Sequence, residues 1–456
     1  MVNVLGAADF TSFLNSAVGK QLIAEGSVVG TRLLDERERH DLLQEPRIQA
    51  LFEGVRGEMV LEHERIAFPS FPYEWPPEML HAAATLTLDL ANRLLPEGFG
   101  VKDATPYNVL FRGPNPIFVD VLSLERRAAG DAVWLPYAQL VRTFLLPLLA
   151  NRDLGLALDQ ALLARRDGLE PDEVYSWISP FQRLKPLYLS LVSMPTWLGR
   201  RHNVDDPGIY RKKTLSDPEK AVFVLRSFLR GLTRTVAKLK PASGKTSAWS
   251  NYCTSNNNYS SEGAESKKAF VEQAMAEFRP KRVLDIGCNT GLFSAIAAQS
   301  GASVVAIDCD PAVLGEVWRT ARDRSLDILP LVVNIARPTP GTGWLNSECP
   351  SFLDRARGRF DAVLMLAVVH HLIVTERVPL PQIVDLAASL TSDLLVIEFV
   401  APEDSMFHRL TRGRDHLHQG LDAAAFEDAC HRRFDTVRVS HIDGTWRWLY
   451  TFRKRP

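Results

Sequence analysis

Seven short segments rich in β-branched residues follow one another after Pro280, and helical patterns lie between them. The first five segments have the length and apolar character of strands buried on both faces of a parallel sheet. Strands that alternate with helices indicate a parallel sheet with right-handed crossovers. The last two segments flank Asp443-Gly444, a dipeptide typical of β-hairpins. The sequence therefore predicts an α/β domain of seven strands that ends in an antiparallel hairpin.

The residues before about 240 have a different character. They are rich in Leu, Arg and Pro, and helical patterns are broken by short extended pieces. This part is predicted to be a mostly helical α+β domain. Amphipathic helices are expected at 77–95, 134–149, 153–165 and 221–239.

The segment from Lys240 to Ser261 is dense in Ser, Asn, Gly and Thr. Such a composition fits a solvated linker. It also contains Trp249, Tyr252 and Tyr259, which favour the alternative of a lid over a pocket. We therefore predict an accessory domain over 1–240, a linker or lid over 241–280, and the α/β domain over 281–456.

Composition excludes several classes of protein. The chain has 456 residues, of which 46% are hydrophobic, so it is expected to fold. With 53 basic and 54 acidic side chains, it lacks the basic field of a general nucleic-acid binder. The five cysteines form no C-x-x-C pair, and no apolar run reaches the length of a signal peptide or a membrane span. We expect a cytoplasmic protein with no nucleic-acid, membrane or metal partner, and the oligomeric state stays open.

A glycine loop, VLDIGCNTG, lies where the first predicted strand turns into a helix. Gly287 permits a tight turn, Asn289 tolerates a positive φ, and Gly291 lets the helix start close to the strand. The amides at the helix start can hold an anionic or polar group. The G-x-x-x-G spacing departs from the dinucleotide fingerprint and lacks the Lys-Ser/Thr of a P-loop.

Asp308 closes the second predicted strand, VVAID. A carboxylate at this place can accept hydrogen bonds from both hydroxyls of a ribose. The alternative is that Asp308 only places a negative charge at the N-terminus of the helix that is predicted to begin near Pro311. The loop, the acidic strand end and the terminal hairpin together favour a nucleoside-containing ligand.

With these motifs, residues 281–456 resemble class I S-adenosylmethionine-dependent methyltransferases, with DIGCNTG as motif I and AIDCD as the acidic second motif. The whole chain further resembles the large two-part methyltransferases related to the nodulation protein NoeA. The matching segments are FPYEW, KDATPYNVLF, FVDVLS, MLAVVHHL and IEFVAPED. The resemblance implies a seven-stranded Rossmann-like sheet and S-adenosylmethionine as cofactor.

The resemblance also implies the cofactor site. The loop from Gly287 to Gly291 would pack under the methionine part and Asp308 would hold the ribose. Asn334 stands where the family usually has an Asp beside the adenine. The cofactor-binding residues implied are Asp285, Gly287, Cys288, Asn289, Gly291, Asp308, Cys309, Asn334, Ile335 and Tyr259.

Three residues are candidates for catalysis. Methyl transfer from a sulfonium needs an aligned nucleophile, and a base where that nucleophile carries a proton. His370 and His371 end the fourth predicted strand, at the ligand edge of the sheet. For each of them the alternative is core packing or a helix cap. Glu398, near the end of the fifth strand, could orient a substrate, whereas Glu403 fits a solvated loop.

The first half contains a kinase-like pattern. Asp103 and Asn108 have the D-x-x-x-x-N spacing of a catalytic loop, and Asp120 follows at the distance of a metal-binding Asp. No glycine-rich phosphate loop precedes them, and Lys20 is the only lysine before Lys102. We favour a degenerate kinase-like domain over chance resemblance or a working phosphotransferase.

The sequence predicts an S-adenosylmethionine-dependent methyltransferase that acts on a small-molecule or glycan-type acceptor, with O-methylation favoured. The first half would shape the acceptor site or a partner surface. The alternative is a kinase-like binding or regulatory protein, or a phosphotransferase, in which methyl transfer is secondary.

Overall fold

The structure is a computed structural model that describes residues 4–46, 48–49, 59–200, 214–242 and 261–456. The helices are α1 (Val4–Asn15), α2 (Ala17–Ala24), α3 (Glu36–Leu43), α4 (Pro77–Leu94), α5 (Tyr137–Leu140), α6 (Leu146–Leu154), α7 (Leu158–Leu162), α8 (Pro171–Trp177), α9 (Pro180–Arg183), α10 (Pro186–Tyr188), α11 (Met194–Gly199), α12 (Pro218–Lys238), α13 (Ser261–Phe278), α14 (Leu292–Gln299), α15 (Pro311–Asp323), α16 (Phe352–Ala356), α17 (Val369–Val374), α18 (Leu380–Leu390), α19 (Ser405–Thr411) and α20 (Ala423–Cys430). Within these ranges, no helix has the length and hydropathy needed to cross a membrane.

The strands are β1 (Thr31–Leu33), β2 (Leu61–His63), β3 (Phe99–Val101), β4 (Val109–Arg112), β5 (Asn115–Phe118), β6 (Leu124–Arg126), β7 (Arg282–Ile286), β8 (Ser303–Asp308), β9 (Ile328–Val332), β10 (Phe360–Met365), β11 (Thr391–Val400), β12 (Phe434–His441) and β13 (Arg447–Lys454). The first six strands form three two-stranded antiparallel pairs in the first half, which is otherwise helical. Two π-helical turns continue helices of this half, Val141–Leu145 after α5 and Leu189–Ser193 after α10.

The last seven strands form one sheet in the order β12-β13-β11-β10-β7-β8-β9. Strand β13 runs antiparallel to both of its neighbours, whereas β7 to β11 pair in parallel. The order of the parallel strands reverses at β7, so polar groups from the ends of β7, β8 and β10 meet at one edge of the sheet. The predicted seven-stranded Rossmann-like sheet with a terminal hairpin is confirmed.

Different layers cover the two faces of this sheet. Helices α13, α14 and α15 cover one face and pack on side chains such as Val283, Ala306 and Leu364. The alternating side chains of the same strands point to the other face. There they share one hydrophobic core with the first half. The first half thus supplies part of the layer that covers this sheet.

Ion pairs between described residues join the two halves. Glu74, in a turn before α4, pairs with Arg355, and both side chains are almost fully buried. Glu78 in α4 pairs with Arg319 of α15 at 2.5 Å. A Cβ on Gly315 would lie 2.5 Å from the carboxylate oxygens of Glu78, so the helices approach closely because this position carries no side chain.

The linker predicted over 241–280 requires a correction. Residues 261–278 form α13, and Phe270, Val271, Ala274 and Met275 of this helix are buried against the sheet. These apolar residues recur at helical spacing, which the polar composition of the preceding segment obscured. The remaining domain division stays a prediction, because the two halves share a core.

Candidate functional site

The glycine loop has the strained backbone that its sequence predicts. After β7 ends, Gly287, Asn289 and Gly291 adopt positive φ angles of 72°, 48° and 79°. A Cβ on Gly291 would lie 2.9 Å from a methyl of Val317, and one on Gly287 would lie 3.2 Å from Val368. Only glycine combines this φ with such close neighbours at little cost. The loop therefore packs closely against Val317 and Val368 at the start of α14.

Asp308 connects the loop to the end of β8. Its Oδ2 accepts a hydrogen bond from the backbone N–H of Asn289 at 3.0 Å, and its Oδ1 accepts one from Asp310 at 3.0 Å. Burial raises the pKa of Asp308, and the hydrogen bonds from these amides oppose that effect. The structure thus brings the glycine loop and the acidic strand end into direct contact.

A second carboxylate lies beneath the loop. Asp285 in β7 is buried, and its Oδ2 accepts a hydrogen bond from the hydroxyl of Ser294 at 2.6 Å. Burial, with a smaller contribution from the charge of Asp308, raises the pKa of Asp285 to about 6. This pair fixes the first turn of α14 against the strand that carries the loop.

The other predicted cofactor residues lie around the same edge. Cys288 and Ile335 are buried, whereas Cys309 is exposed directly after β8. The amide oxygen of Asn334 accepts hydrogen bonds from the N–H groups of Ala336 and Arg337 at 2.9 and 3.3 Å, so it stabilises the turn after β9. Tyr259 lies outside the described residues.

The histidine pair follows β10 and begins α17. His370 is 1% exposed, and neither of its ring nitrogens has a hydrogen-bond partner among the described residues. The His370 and His371 rings lie 4.2 Å apart between centroids. Burial holds the pKa of His370 well below its usual value, and the charges of His371, Arg447 and Lys267 act in the same direction. Burial and Arg447 also lower the pKa of His371. Both imidazoles are therefore neutral near pH 7.

Glu398 lies in a buried cluster of charges beside the histidines. Its Oε2 lies 2.6 Å from the ammonium of Lys267 in α13, and its Oε1 lies 3.3 Å from the guanidinium of Arg447 in β13. Arg447 also binds Asp404 at 2.8 Å. Among the described residues, the cluster contains two positive and two negative side chains, so these four charges balance. The catalytic role of Glu398 stays a prediction, and its contacts include these ion pairs.

Sequence reasoning missed Lys267, Arg447 and Asp404. The sequence contained one signal for Arg447, because this arginine interrupts the apolar strand pattern TWRWLYTF. In the structure its side chain is fully buried. Lys267 lay in the segment predicted as linker. Asp404 begins α19, where its carboxylate accepts a hydrogen bond from the N–H of Met406.

The kinase-like residues of the first half converge on one hydroxyl. Ser123 Oγ lies 2.5 Å from a carboxylate oxygen of Asp120, 3.3 Å from one of Asp103, and 3.4 Å from the amide nitrogen of Asn108. The spacing in the sequence therefore does bring the three residues together. Across the described ranges, no group of three or more His, Cys, Asp or Glu has a geometry suited to a metal ion.

Comparison with known proteins defines the class of this fold and site. A family model described as a methyltransferase domain matches residues 259–451. The protein is a class I S-adenosylmethionine-dependent methyltransferase. Nodulation protein NoeA of Rhizobium meliloti (strain 1021) is 31% identical over 441 residues, which cover 96% of this chain and 88% of that protein. The chain belongs to the NoeA family.

Part of the chain is similar to solved structures of other proteins. Magnesium protoporphyrin IX methyltransferase from Synechocystis PCC 6803, with bound S-adenosylhomocysteine, is 19% identical over 42% of this chain and 84% of its own, with a TM-score of 0.32. N-methyltransferase NodS from Bradyrhizobium japonicum WM9 is 15% identical over 43% of this chain and 98% of its own, with a TM-score of 0.33. The kinase-like character of the first half stays a prediction.

The described residues fit the cofactor. Gly287 and Gly291 keep the loop tight against Val368 and Val317, and the loop amides at the start of α14 suit a carboxylate. The ribose contact of Asp308 stays a prediction, and a partly exposed carboxylate at the end of β8 is compatible with it. Asp285 supports this site from below, because it is buried and bonded to Ser294.

Proposed function

We propose that this methyltransferase modifies a hydroxyl group of a small-molecule or glycan-type acceptor, which binds at the carboxyl ends of β10 and β11. The observation that carries the proposal is His370, an imidazole that is 1% exposed and whose ring nitrogens have no partner among the residues described. A buried polar group without a hydrogen-bond partner lowers the stability of the folded state by about 1–3 kcal/mol. A hydroxyl group of the acceptor, bound beside His370, would supply the missing partner.

The chemistry requires a neutral proton acceptor. The bound cofactor supplies an electrophilic methyl group on a sulfonium. An alcohol attacks that carbon well only if its proton is removed as the bond forms. The lowered pKa of His370 and His371 keeps both imidazoles neutral near pH 7, so each ring has one unprotonated nitrogen. We propose that one ring of the pair accepts the proton and that the other fixes its orientation.

The first half packs against the sheet that carries the proposed site, because the two halves share one hydrophobic core. It covers the face of the sheet opposite α13 and α14 and meets α15 through Glu78 and Arg319. We propose that it shapes the acceptor site from that side. The acceptor class itself is to be found by incubating cell extracts with a radiolabelled methyl donor and separating the labelled products.

The test compares His370→Ala and His371→Ala with His40→Ala, which changes an exposed histidine of α3. The variant that lacks the base should bind S-adenosylmethionine normally in calorimetry and lose about 10²–10⁴-fold in turnover. His40→Ala should keep full turnover. If both variants of the pair lose stability while the folded enzyme keeps full turnover, the histidines are structural and the proposal fails.

A second candidate function rests on the convergence of Asp103, Asn108 and Asp120 on Ser123. A binding or regulatory role, or phosphoryl transfer, would use this cluster. We expect instead that ATP hydrolysis and phosphoryl transfer are undetectable, because no glycine-rich loop precedes the cluster in the sequence. Magnesium-dependent ATP binding in calorimetry that disappears in Asp120→Ala would establish the second candidate.

A further inference from the structure

Six large apolar side chains are exposed between residues 177 and 198 of the first half. Their exposed fractions range from 39% to 85%. We call them the apolar patch: Trp177, Phe181, Leu184, Met194, Trp197 and Leu198. They lie on the short helices α8, α9 and α11 and on the residues next to them, and these helices pack around the turn Leu189–Ser193. Soluble proteins that act alone seldom expose so many large apolar side chains together, so this patch indicates an interaction surface.

Positive charge accompanies the patch. The guanidinium groups of Arg183 and Arg200 lie over the ring of Tyr175 at 4.0 and 5.5 Å, and Trp197 donates a hydrogen bond to the Tyr175 hydroxyl at 3.2 Å. From residue 174 to residue 200 the sequence contains no Asp or Glu. At its border, Glu173 is ion-paired with Arg165. The surface therefore combines aromatic, aliphatic and cationic groups.

A cationic cavity opens beside the patch. It has a volume of about 560 Å³, and its lining includes Lys185, Lys238, Arg152 and Asp153. Asp153 is ion-paired with Arg152 at 2.6 Å, which leaves the two lysines as excess positive charge. Lys185 directly follows Leu184, so the apolar and cationic groups are neighbours along the chain.

We propose that this surface binds an anionic phospholipid membrane from one side. Phe181 and Leu184 enter the boundary of the acyl chains, the two tryptophans lie at the level of the headgroups, and Lys185 and Lys238 bind lipid phosphate in the cavity. Aromatic side chains with a polar edge favour this interfacial depth, and clustered lysines are attracted to anionic lipid. This proposal of a peripheral membrane contact differs from the expectation, drawn from the sequence, that the protein has no membrane partner. It does not depend on the identity of the methyl acceptor.

Charge argues against a second copy of the chain as the occupant. A twofold dimer through this face would place each patch against its own symmetry mate. Arg183, Arg200 and Lys185 would then face the same cations, with no acidic residue from 174 to 200 to compensate them. An anionic surface has the opposite charge and therefore fits better.

The test is co-flotation of the full chain with phosphatidylcholine vesicles, with and without phosphatidylglycerol. The protein should float only with the anionic vesicles, and brominated lipid should quench its tryptophan fluorescence. Lys185→Ala combined with Lys238→Ala should weaken binding about 30-fold, and added salt should weaken it further. Phe181→Ser combined with Leu184→Ser should abolish quenching. The matched controls are Leu345→Ser and Lys20→Ala, which change exposed side chains elsewhere.

Three outcomes would overturn the proposal. The first is equal flotation with neutral and anionic vesicles. The second is no flotation of a folded monomer. The third is a stable dimer that Phe181→Ser with Leu184→Ser converts to monomers, which would assign the patch to a second copy. Circular dichroism and S-adenosylmethionine binding confirm that each variant is folded, since none of these residues lies at the cofactor site.

Discussion

Glu398→Gln removes one negative charge from between two buried cations while keeping the shape of the side chain. Glu398 is fully buried, and its two oxygens lie 2.6 Å from Lys267 and 3.3 Å from Arg447. The cluster with Asp404 then changes from a net charge of zero to a net charge of +1. We expect this variant to lose stability.

The magnitude follows from the distances and the burial. At an effective dielectric constant of about 20, the gross attraction of Glu398 is roughly 6 kcal/mol to Lys267 and roughly 5 kcal/mol to Arg447. The desolvation of the ions offsets part of this attraction. Breaking a buried pair by removing one partner typically costs about 3–5 kcal/mol. We therefore expect the free energy of unfolding to fall by about 3–5 kcal/mol.

The assay is urea unfolding followed by circular dichroism at neutral pH, with turnover measured per folded molecule. Glu403→Gln is the matched control, because Glu403 is exposed five residues further along the chain and should change stability little. A loss below about 0.5 kcal/mol in Glu398→Gln would refute the ion-pair argument. A large loss of turnover at unchanged stability would instead establish the catalytic role predicted for Glu398.

Three further predictions concern the other sites. Asp308→Ala should weaken S-adenosylmethionine binding in calorimetry by about 1.5–3 kcal/mol, because the ribose hydroxyls lose charge-assisted hydrogen bonds, and Gly287→Val should weaken it more; unchanged affinity in a folded variant would remove Asp308 from the site. Asn108→Ala should lower the free energy of unfolding by about 1–3 kcal/mol, with methyl transfer per folded molecule near normal, because the Asn amide braces Asp103 and Ser123; an intact stability would contradict this bracing role. Because the pKa of His370 is lowered in the folded chain, the unfolded chain binds a proton below pH 6.5 that the folded chain does not bind. As the pH falls from 6.5 to that lowered pKa, the wild type should lose stability relative to His370→Phe by up to about 1.4 kcal/mol per pH unit. Parallel stability profiles of the two proteins against pH would show that the pKa of His370 is not lowered.

The sequence revealed the sheet because its physical signal is local. A strand buried on both faces must carry a continuous apolar run, as β8 does over 304–307 and β10 over 362–365. The glycine loop could also be predicted from the sequence, because the positive φ angles at Gly287 and Gly291 favour glycine. Asp308 was placed at the edge because it follows an apolar strand directly.

Contacts between distant parts of the chain could not be predicted in the same way. Lys267 and Glu398 are 131 residues apart, and neither has a neighbour in the sequence that indicates its partner. The amphipathic pattern of α4 shows that one face is buried, but it does not show that the covering surface includes α15 of the other half. Likewise, Glu74 reads as an ordinary surface charge until Arg355 is placed beside it.

The close approach of α4 and α15 has a consequence for the history of the family. The carboxylate of Glu78 occupies the volume that a side chain at Gly315 would need, and it holds Arg319 one turn further along the same helix. A substitution at residue 315 therefore displaces the Glu78 carboxylate unless residue 78 is smaller, and in either case Arg319 loses this counter-ion. Among homologous chains, the residues at positions 78, 315 and 319 should change together, although 78 and 315 lie more than two hundred residues apart. The two halves would then have evolved as one unit rather than as exchangeable modules.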